Sequence, residues 1–324
     1  MTSAIRIERF GGPEVMTFVP VEVGAPGTGQ VRIEHQAIGV NMIDTYVRKG
    51  LYPVELPSGL GAEAAGRIAA VGQGVRELEP GQRVAYVAPA PFDAYAKARL
   101  IDARRVVALP DEIDAATAAA VMLKGLTCWF LLHRSYRVGN RDWLLIHAAA
   151  GGVGTLLVQW AADLGARVIG VVGSEAKRAI AAAHGCEVVL LASADLVERV
   201  RSLTDGKGVA AVYDSVGRDT FMQSLDCLAP HGVMVSYGNA SGPVDPVSPL
   251  ELMRRGSLYL TRPLLFDFIV ERGDLEAGVC EVFTRLASGA LRVDINQRFA
   301  LADAAEAHRA LEGRRTTGAT VLMP

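Results

Sequence analysis

The sequence predicts an α/β protein in which a doubly wound parallel sheet is joined to a mostly β domain. The prediction rests on three stretches that differ in their pattern of strand-like and helix-like segments. Residues 1–124 contain short β-like runs separated by Gly and Pro, which is typical of antiparallel strands. Residues 125–262 alternate strand-like and helix-like segments, as βαβ units do. Residues 263–324 are mixed in character and end in a helix followed by a strand.

Length and composition exclude several classes of protein. The chain has 324 residues, of which 50% are hydrophobic and 21% charged, and its formal net charge is −2. This length suffices for two domains, and the weak charge argues against nucleic-acid binding. The N-terminal segment MTSAIRIERF has no apolar core and does not resemble a signal peptide. Cys128, Cys186, Cys227 and Cys280 form no CxxC pair, so we expect a reducing, cytoplasmic setting.

Three runs in the first stretch predict antiparallel strands. They are QVRIEHQAIGV (30–40), GRIAAVG (66–72) and QRVAYVAP (82–89). Each is rich in Val, Ile or Tyr, which favour strands. We therefore expect a compact β domain before residue 125.

Six strands are predicted in the second stretch. Their candidate ranges are 142–147, 167–172, 187–191, 209–213, 232–237 and 257–261. Amphipathic helices fit between most of them, so the sheet is expected to be parallel and covered on both faces. Residues 143–162 contain no Asp, Glu, Lys or Arg and match a membrane span in length. Paired glycines at the centre of this run favour a strand, a turn and a helix instead.

The turn HAAAGGVG (147–154) predicts a dinucleotide site. It follows a strand and opens a helix, which is where Rossmann folds bind a pyrophosphate. Gly151 and Gly152 allow the backbone to approach the ligand, and Gly154 allows the helix to lie near the strand. The N–H groups and the dipole of the helix both favour anions. One buried helix face is predicted from Val153, Leu156, Leu157, Trp160 and Leu164.

The end of the second strand favours NADP over NAD. Sites for NAD usually place a carboxylate there, on the ribose hydroxyls, whereas this chain has Gly173 and Ser174. A hydroxyl and a cation suit a 2′-phosphate, and Ser174 and Lys177 supply both. Glu175 is expected to point outward in the first helical turn. The alternative is that Lys177 and Arg178 simply form a solvated helix face.

The C-terminal stretch predicts a helix at 302–313 and a last strand in ATVLMP (319–324). A lone helix and strand would not be stable. We expect this tail to pack on the first domain.

Several segments together resemble the quinone oxidoreductases, the zeta-crystallin-like branch of the medium-chain dehydrogenase/reductase superfamily. They are GGPEV (11–15), NMIDTYVRKGLYP (41–53), LPSGLGAEAAG (56–66), LKGLT (123–127), HAAAGGVG (147–154), YDSVGRDT (213–220) and GSLYLTRP (256–263). The resemblance implies a GroES-like catalytic domain, residues 1–124 and 263–324, interrupted by a Rossmann NADP-binding domain, residues 125–262. It also implies NADPH as cofactor and a homodimer joined along strand 257–261.

The resemblance also bears on zinc. Relatives that use zinc bind it with a Cys, a His before a Glu, and a later Cys or Glu. Here the first position resembles Asn41 and the second Ala62, beside Glu63. Without these ligands we expect no catalytic zinc, which argues against ordinary alcohol dehydrogenation and suits an acceptor that takes electrons readily.

The family's cofactor residues can be carried over by position. The resemblance places Asn41 and Thr127 near the nicotinamide, with Lys124 beside it. It places the pyrophosphate against Gly151, Gly152 and Val153. It places the 2′-phosphate after the second strand, at Gly173, Ser174 and Lys177, with Arg314 reaching in from the tail. It places Ser215, Tyr237, Gly238, Asn239 and Ser241 along the nicotinamide ribose. Members often have a tyrosine after the third strand, where this chain has Ala192, so weaker NADPH binding or partial acceptance of NADH is expected.

The implied reaction is NADPH-dependent reduction of a small-molecule quinone in an apolar cleft between the domains, by hydride or by single electrons. Tyr46 and Tyr52 resemble the residues that line this cleft; either could donate a hydrogen bond or proton to the acceptor, or both could simply wall the pocket. Asn41 is expected to orient rather than react. Reduction of enone or enal double bonds, and NADPH binding with little turnover, are the alternatives.

Other candidate groups carry weaker predictions. His147 is expected to be buried and bonded to backbone, and Cys128 to serve packing. The remaining histidines, His308 among them, lack acid partners at telling spacing. No role is predicted for them.

Overall fold

The computed structural model describes all 324 residues, which divide into two units. One consists of Met1–Leu126, Phe268–Ala287 and Val293–Pro324, and the other of Thr127–Asp267 and Ser288–Arg292. We call them the β unit and the α/β unit. That they serve as a catalytic and an NADP-binding domain, with the boundaries given above, stays a prediction.

The chain forms fifteen strands and ten α-helices. The strands are β1 (Thr2–Arg6), β2 (Thr17–Val21), β3 (Gln30–Val40), β4 (Glu63–Val71), β5 (Arg83–Val87), β6 (Ala98–Asp102), β7 (Val106–Ala108), β8 (Trp143–His147), β9 (Arg167–Val172), β10 (Val188–Leu191), β11 (Val209–Asp214), β12 (Leu228–Ser236), β13 (Tyr259–Thr261), β14 (Ile295–Ala300) and β15 (Ala319–Met323). The helices are α1 (Met42–Lys49), α2 (Ala115–Phe130), α3 (Gly152–Asp163), α4 (Arg178–Ala183), α5 (Leu196–Leu203), α6 (Phe221–Cys227), α7 (Pro249–Arg254), α8 (Leu265–Phe268), α9 (Arg272–Ser288) and α10 (Ala304–Glu312).

The β unit is built on a seven-stranded sheet. Six of its strands follow the order β14-β15-β3-β4-β5-β7, and β6 pairs with β3. All neighbours are antiparallel except β14 and β15. Strand β15 pairs with β3 through Thr320 and Val40, so the tail completes this sheet, as predicted. The three predicted runs correspond to β3, β4 and β5.

The α/β unit contains a six-stranded parallel sheet in the order β10-β9-β8-β11-β12-β13. This is the Rossmann order, with the reversal between β8 and β11. Apolar side chains of the strands pack with those of the helices; Leu145, Ile169 and Met234 from the sheet and Leu196 and Leu225 from α5 and α6 belong to one buried cluster. The predicted fold class is confirmed.

Two of the six strands differ from the prediction by more than one residue at an end. Strand β12 begins four residues early, at Leu228, which pairs with Val209 before a shift in register. Strand β13 begins at Tyr259 rather than 257. Gly256 and Ser257 have φ of 102° and 56°, and backbone in this left-handed region cannot continue a strand.

The apolar segments of the chain lie inside the protein. Residues 143–162 form β8 and most of α3, as predicted. The segment Ala115–Ser135 is long and apolar enough to span a membrane, but most of it is buried within the protein. A core helix has the same composition, so this segment is weak evidence for a membrane.

Strands β3 and β4 lie so close together at Gly66 that no side chain fits there. A Cβ on Gly66 would lie 1.9 Å from the carbonyl oxygen of Glu34, whereas one on Gly24 would have no atom within 4 Å. Gly66→Ala is expected to lower the free energy of unfolding by about 2–3 kcal/mol, because the strands must separate. Gly24→Ala should lower it by less than about 0.5 kcal/mol. Denaturant unfolding tests both; equal losses would contradict the tight β3–β4 pairing.

Candidate active site

The glycine turn brings the start of α3 against the end of β8. Gly151 donates its N–H to Ala148 O at 2.9 Å, and a Cβ on Gly154 would lie 2.2 Å from the same oxygen. Only glycine therefore fits at 154. The left-handed residue of the turn is Ala148, with φ of 51°, a position that the glycine pattern does not reveal. The first N–H groups of α3, at Gly152 and Val153, have no partner within the helix and can receive an anion.

The helix after the turn has the predicted buried face in part. Leu156, Leu157 and Trp160 are buried, whereas Val153 and Leu164 are half-buried. The Sγ of Cys128 lies 3.7 Å from Val153 O and burial raises the pKa of this thiol well above its ordinary value. Cys128 is therefore an unreactive packing residue, as predicted.

Beyond β9, the residues predicted to hold a 2′-phosphate lie at the surface. Gly173 and Ser174 are exposed and Lys177 is half-buried. A Cβ on Gly173 would meet no atom within 4 Å, so space is open there. Glu175 is exposed, as predicted, and accepts a hydrogen bond from Arg178 Nε at 2.8 Å. Arg178 also donates to the carbonyl oxygen of Val189, so its guanidinium binds within the protein. That Lys177 holds the 2′-phosphate stays a prediction.

The loops after β11 and β12 bind each other. Tyr237 donates its N–H to Asp214 O at 2.8 Å, and Ala240 donates to Ser215 O at 3.2 Å. Ser241 Oγ donates to Val216 O at 2.8 Å. A Cβ on Gly238 would lie 2.5 Å from Ser215 O. The structure thus brings together five predicted residues at the carboxyl ends of adjacent strands: Ser215, Tyr237, Gly238, Asn239 and Ser241.

Asp214 supports this pair of loops and was missed from the sequence. Its buried carboxylate accepts the N–H of Val216 at 2.8 Å and of Gly217 at 3.1 Å, and the hydroxyl of Ser224 at 2.9 Å. Ser224 Oγ lies 2.9 Å from His147 Nε2. His147 is buried as predicted, but its contact is with a side-chain hydroxyl rather than backbone. Burial lowers the pKa of His147, so the ring is neutral.

In the β unit, a buried carboxylate joins two predicted site residues. Asn41 Nδ2 donates to Glu63 Oε1 at 2.7 Å, and Lys124 Nζ donates to the same oxygen at 3.2 Å. The N–H of Leu123 donates to Glu63 Oε2 at 2.5 Å. Glu63 has no exposed surface, and a Cβ on Gly39 would lie 2.2 Å from its Oε1. Glu63 thereby fixes the Asn41 amide and the Lys124 ammonium; the sequence marked it only as a neighbour of Ala62.

The remaining predicted residues lie on helices or a few residues after them. Tyr46 is buried near the end of α1, and its ring meets that of Tyr52 edge to face at 5.4 Å. Thr127 is buried and lies one turn after Lys124 on α2, so both share a helix face. Arg314 is exposed after α10 in the β unit, with φ of 57°. Its predicted contact with the 2′-phosphate stays a prediction.

No group of three or more His, Cys, Asp or Glu side chains in the chain is arranged to hold a metal ion. Asn41 and Ala62 occupy the two positions where the resemblance would require a Cys and a His. That the protein uses no catalytic zinc stays a prediction.

Comparison with known proteins identifies relatives along the whole chain. The family described as "Alcohol dehydrogenase GroES-like domain" matches residues 27–111, and the family described as "Zinc-binding dehydrogenase" matches residues 152–269. A quinone oxidoreductase of Pseudomonas aeruginosa is 48% identical over 326 residues, which cover 100% of both chains. A 2-haloacrylate reductase of Burkholderia is 42% identical, covering 100% of this chain and 99% of the relative.

A solved structure extends the likeness to the fold. The crystal structure of Escherichia coli quinone oxidoreductase complexed with NADPH is 45% identical to this chain, with a TM-score of 0.97. The match covers 99% of this chain and 100% of that one. The two-unit architecture is therefore shared over its full length.

The Glu63–Lys124 pair predicts a strong coupling between two buried charges. Glu63→Gln should lower the free energy of unfolding by about 3–5 kcal/mol, because it leaves Lys124 buried without a counterion. Lys124→Met in the same background should recover part of this loss, since the unpaired charge is then gone. A double-mutant cycle by denaturant unfolding measures the coupling; strictly additive losses would contradict the pairing.

Proposed function

The chain belongs to the quinone oxidoreductase family of the medium-chain dehydrogenase/reductase superfamily, and from this membership we propose that it is an NADPH-dependent quinone reductase. The relatives that carry this name match it from end to end. The observation that carries the proposal is the parallel sheet whose first strand ends in a glycine turn opening α3. That arrangement is the dinucleotide site of this fold.

The α/β unit fits NADPH at two places. The small residues of the turn leave the N–H groups of Gly152 and Val153 accessible to a pyrophosphate, which the helix dipole favours. After β9, the absence of a carboxylate at Gly173 and Ser174 favours the 2′-phosphate over a free ribose hydroxyl. Lys177 supplies the cation there, and Arg314 is proposed as a second one. The loops carrying Ser215 and Tyr237 are proposed to hold the nicotinamide ribose, together with Gly238, Asn239 and Ser241.

The bound reduced nicotinamide supplies two electrons, as a hydride or singly to two acceptor molecules, and a quinone that takes two electrons and two protons becomes a hydroquinone. Asn41 is proposed to orient the reacting groups, and its side chain is fixed because its amide N–H donates to Glu63. Lys124 adds a positive charge that stabilises negative charge developing on the acceptor oxygen. Thr127 lies on the same helix face as Lys124.

Tyr46 and Tyr52 are proposed to line the acceptor site. Their rings supply an apolar wall, and a phenolic O–H can donate a hydrogen bond to the reduced oxygen. Neither tyrosine is required as an acid in this proposal, because the second proton can come from water. The protein's part is to orient the acceptor and exclude water.

We propose that the reaction uses no zinc. One matching family is described by zinc binding, but in this chain an asparagine and an alanine stand where the resemblance requires ligands. Quinones accept electrons without a Lewis acid, so the loss of those ligands suits this substrate class.

Assembly and location are part of the same proposal. Strand β13 ends the parallel sheet and is paired on one side only, by β12. Its Tyr259 and Leu260 are exposed by 61% and 41%, and an apolar unpaired edge is suited to pairing with another copy. We propose a homodimer joined there. All four cysteines are unpaired, which is compatible with a cytoplasmic location.

A second candidate function is reduction of activated carbon–carbon double bonds. The 2-haloacrylate reductase among the relatives favours it, because a haloacrylate contains such a bond. Hydride delivery to an enone places negative charge on an oxygen, as quinone reduction does, and the same residues could serve both.

Replacing Lys177 tests the choice of cofactor. Lys177→Ala should raise KM for NADPH about 10-fold or more, because a charged hydrogen bond to phosphate is lost, and should leave KM for NADH nearly unchanged. Lys207→Ala is the matched control: Lys207 is exposed just before β11, at the amino ends of the parallel strands, whereas the proposed cofactor site is at their carboxyl ends. Equal effects of Lys177→Ala on both cofactors would remove Lys177 from the phosphate site.

An acceptor panel tests the reaction. After chelator treatment, NADPH oxidation is expected with 1,4-naphthoquinone and to be slower with 2-cyclohexenone and 2-chloroacrylate. Faster turnover of the two double-bond substrates would favour the second function, and loss of activity with chelator would contradict zinc independence. NADPH binding without turnover of any acceptor would indicate a binding protein. A quinone radical seen by electron spin resonance would identify the one-electron route.

A further inference from the structure

A chain of buried polar side chains links α1 to α10 within the β unit. Arg48 NH1 lies 2.9 Å from His308 Nδ1, and His308 Nε2 lies 3.0 Å from Tyr95 Oη. Tyr95 Oη donates to Asp44 Oδ2 at 2.9 Å. The same carboxylate oxygen accepts the N–H of Asn41 at 2.8 Å. The four side chains of this chain, Arg48, His308, Tyr95 and Asp44, are almost completely buried.

The direction of every hydrogen bond in this chain is fixed by chemistry. A guanidinium only donates, so His308 Nδ1 must accept from Arg48. The neutral ring then carries its hydrogen on Nε2 and donates to Tyr95, whose own hydrogen goes to Asp44. Burial, together with the charges of Arg48 and Lys49, lowers the pKa of His308 to about 3, so the ring is neutral, as this pattern requires.

The outer end of the chain is anchored at the surface. Glu312 accepts two hydrogen bonds from Arg48 NH2, both at 2.9 Å, and pairs with Lys49. Arg48 Nε donates to Gly11 O at 3.1 Å. Because a guanidinium does not release its proton near neutral pH, protons cannot pass along this chain from solvent. The chain holds atoms in place rather than conducting protons.

The inner end is the first turn of α1, which carries Asn41. Asp44 Oδ2 has two donors, whereas Oδ1 is buried without a partner. The pKa of Asp44 is raised to about 7, chiefly by burial and also by nearby Glu63, while the hydrogen bonds from Asn41 and Tyr95 and the charge of Lys124 oppose the rise. The hydrogen bonds from Asn41 and Tyr95 therefore favour the charged form of this carboxyl.

We propose that Tyr95 and His308 are positioning residues, which hold the Asp44 carboxylate against the Asn41 N–H and so fix the Asn41 amide for the reaction. The inference rests on the proposed function of Asn41. The Asn41 residue is then held twice, at its side chain by Glu63 and at its backbone by Asp44. When Asp44 is protonated, its hold on the Asn41 N–H weakens.

This arrangement predicts that kcat/KM falls at low pH; we call this part of the pH profile the acid limb. As pH falls through the pKa of Asp44, the carboxyl gains a proton and kcat/KM for quinone is expected to fall. Tyr95→Phe removes a hydrogen bond that lowers this pKa, so the acid limb should move to higher pH by about one to two units. Asp44→Asn should lower the rate and abolish this limb, because an amide does not titrate.

Tyr86→Phe is the matched control for Tyr95→Phe. Tyr86 is a buried tyrosine of the same unit, and its hydroxyl also lies 3.0 Å from a histidine nitrogen, that of His35. It has no contact with Asp44, so its loss should lower stability without moving the pH profile. Two variants of His308 distinguish the loss of its hydrogen bonds from the loss of its packing. His308→Gln retains a hydrogen-bond acceptor and a donor, whereas His308→Leu retains neither.

The experiment measures kcat/KM for 1,4-naphthoquinone with NADPH from about pH 5.5 to about pH 9. In Tyr95→Phe and His308→Leu, we expect the fall of kcat/KM on the acid side to occur at a different pH than in the unmodified protein. In Tyr86→Phe and His308→Gln, we expect it at nearly the same pH as in the unmodified protein. Identical limbs in Tyr95→Phe and the unmodified protein would overturn it. The Asp44 carboxyl is also titrated by infrared difference spectroscopy without substrate, with Asp44→Asn to assign the band. No quinone turnover together with a Tyr95-dependent carboxyl pKa would overturn the proposed function and, with it, the part given to Asn41.

Discussion

The Glu63 carboxylate is the group on which the candidate site in the β unit depends. A buried charge is tolerated only when donors surround it, and Glu63 has three: the Asn41 amide, the Leu123 N–H and the Lys124 ammonium. These donors come from the end of β3 and from α2. One charge therefore sets the positions of two elements, and a second buried carboxylate, Asp44, sets the backbone where α1 begins.

In the α/β unit, a buried carboxylate likewise holds part of the proposed site, but its donors include backbone N–H groups. Asp214 gathers the N–H groups of the loop after β11, and the loop after β12 binds to that one. The glycine turn leaves the first N–H groups of α3 exposed to an anion. In each unit, a buried acid therefore holds part of the proposed site, Glu63 the side chains of Asn41 and Lys124 and Asp214 the loop after β11, so that their positions are set before any ligand binds.

Sequence patterns predicted the fold well because the patterns are local. The six parallel strands were found from alternation of strand and helix, and the dinucleotide turn from spacing within eight residues. The two errors at β12 and β13 arose from a register shift and from left-handed Ser257, which depend on neighbouring strands. Ala148 was missed for a similar reason, since its positive φ leaves no mark in the sequence.

The supporting residues could not be predicted because they meet across the chain. Tyr95, His308 and Arg48 are separated by tens to hundreds of positions, and no spacing rule links them. Glu63 was visible only as the neighbour of Ala62, and its contact with Lys124 depends on how β4 and α2 pack. His147 was correctly predicted to be buried, but its partner Ser224 lies on α6, and that contact appears only once the sheet is formed.

The most direct test of the central claim is a crystal structure with NADPH. We expect the pyrophosphate within hydrogen-bond distance of the N–H groups of Gly152 and Val153, and the 2′-phosphate against Ser174 and Lys177. Electron density for NADPH elsewhere, or a 2′-phosphate directed into solvent away from Lys177, would contradict it.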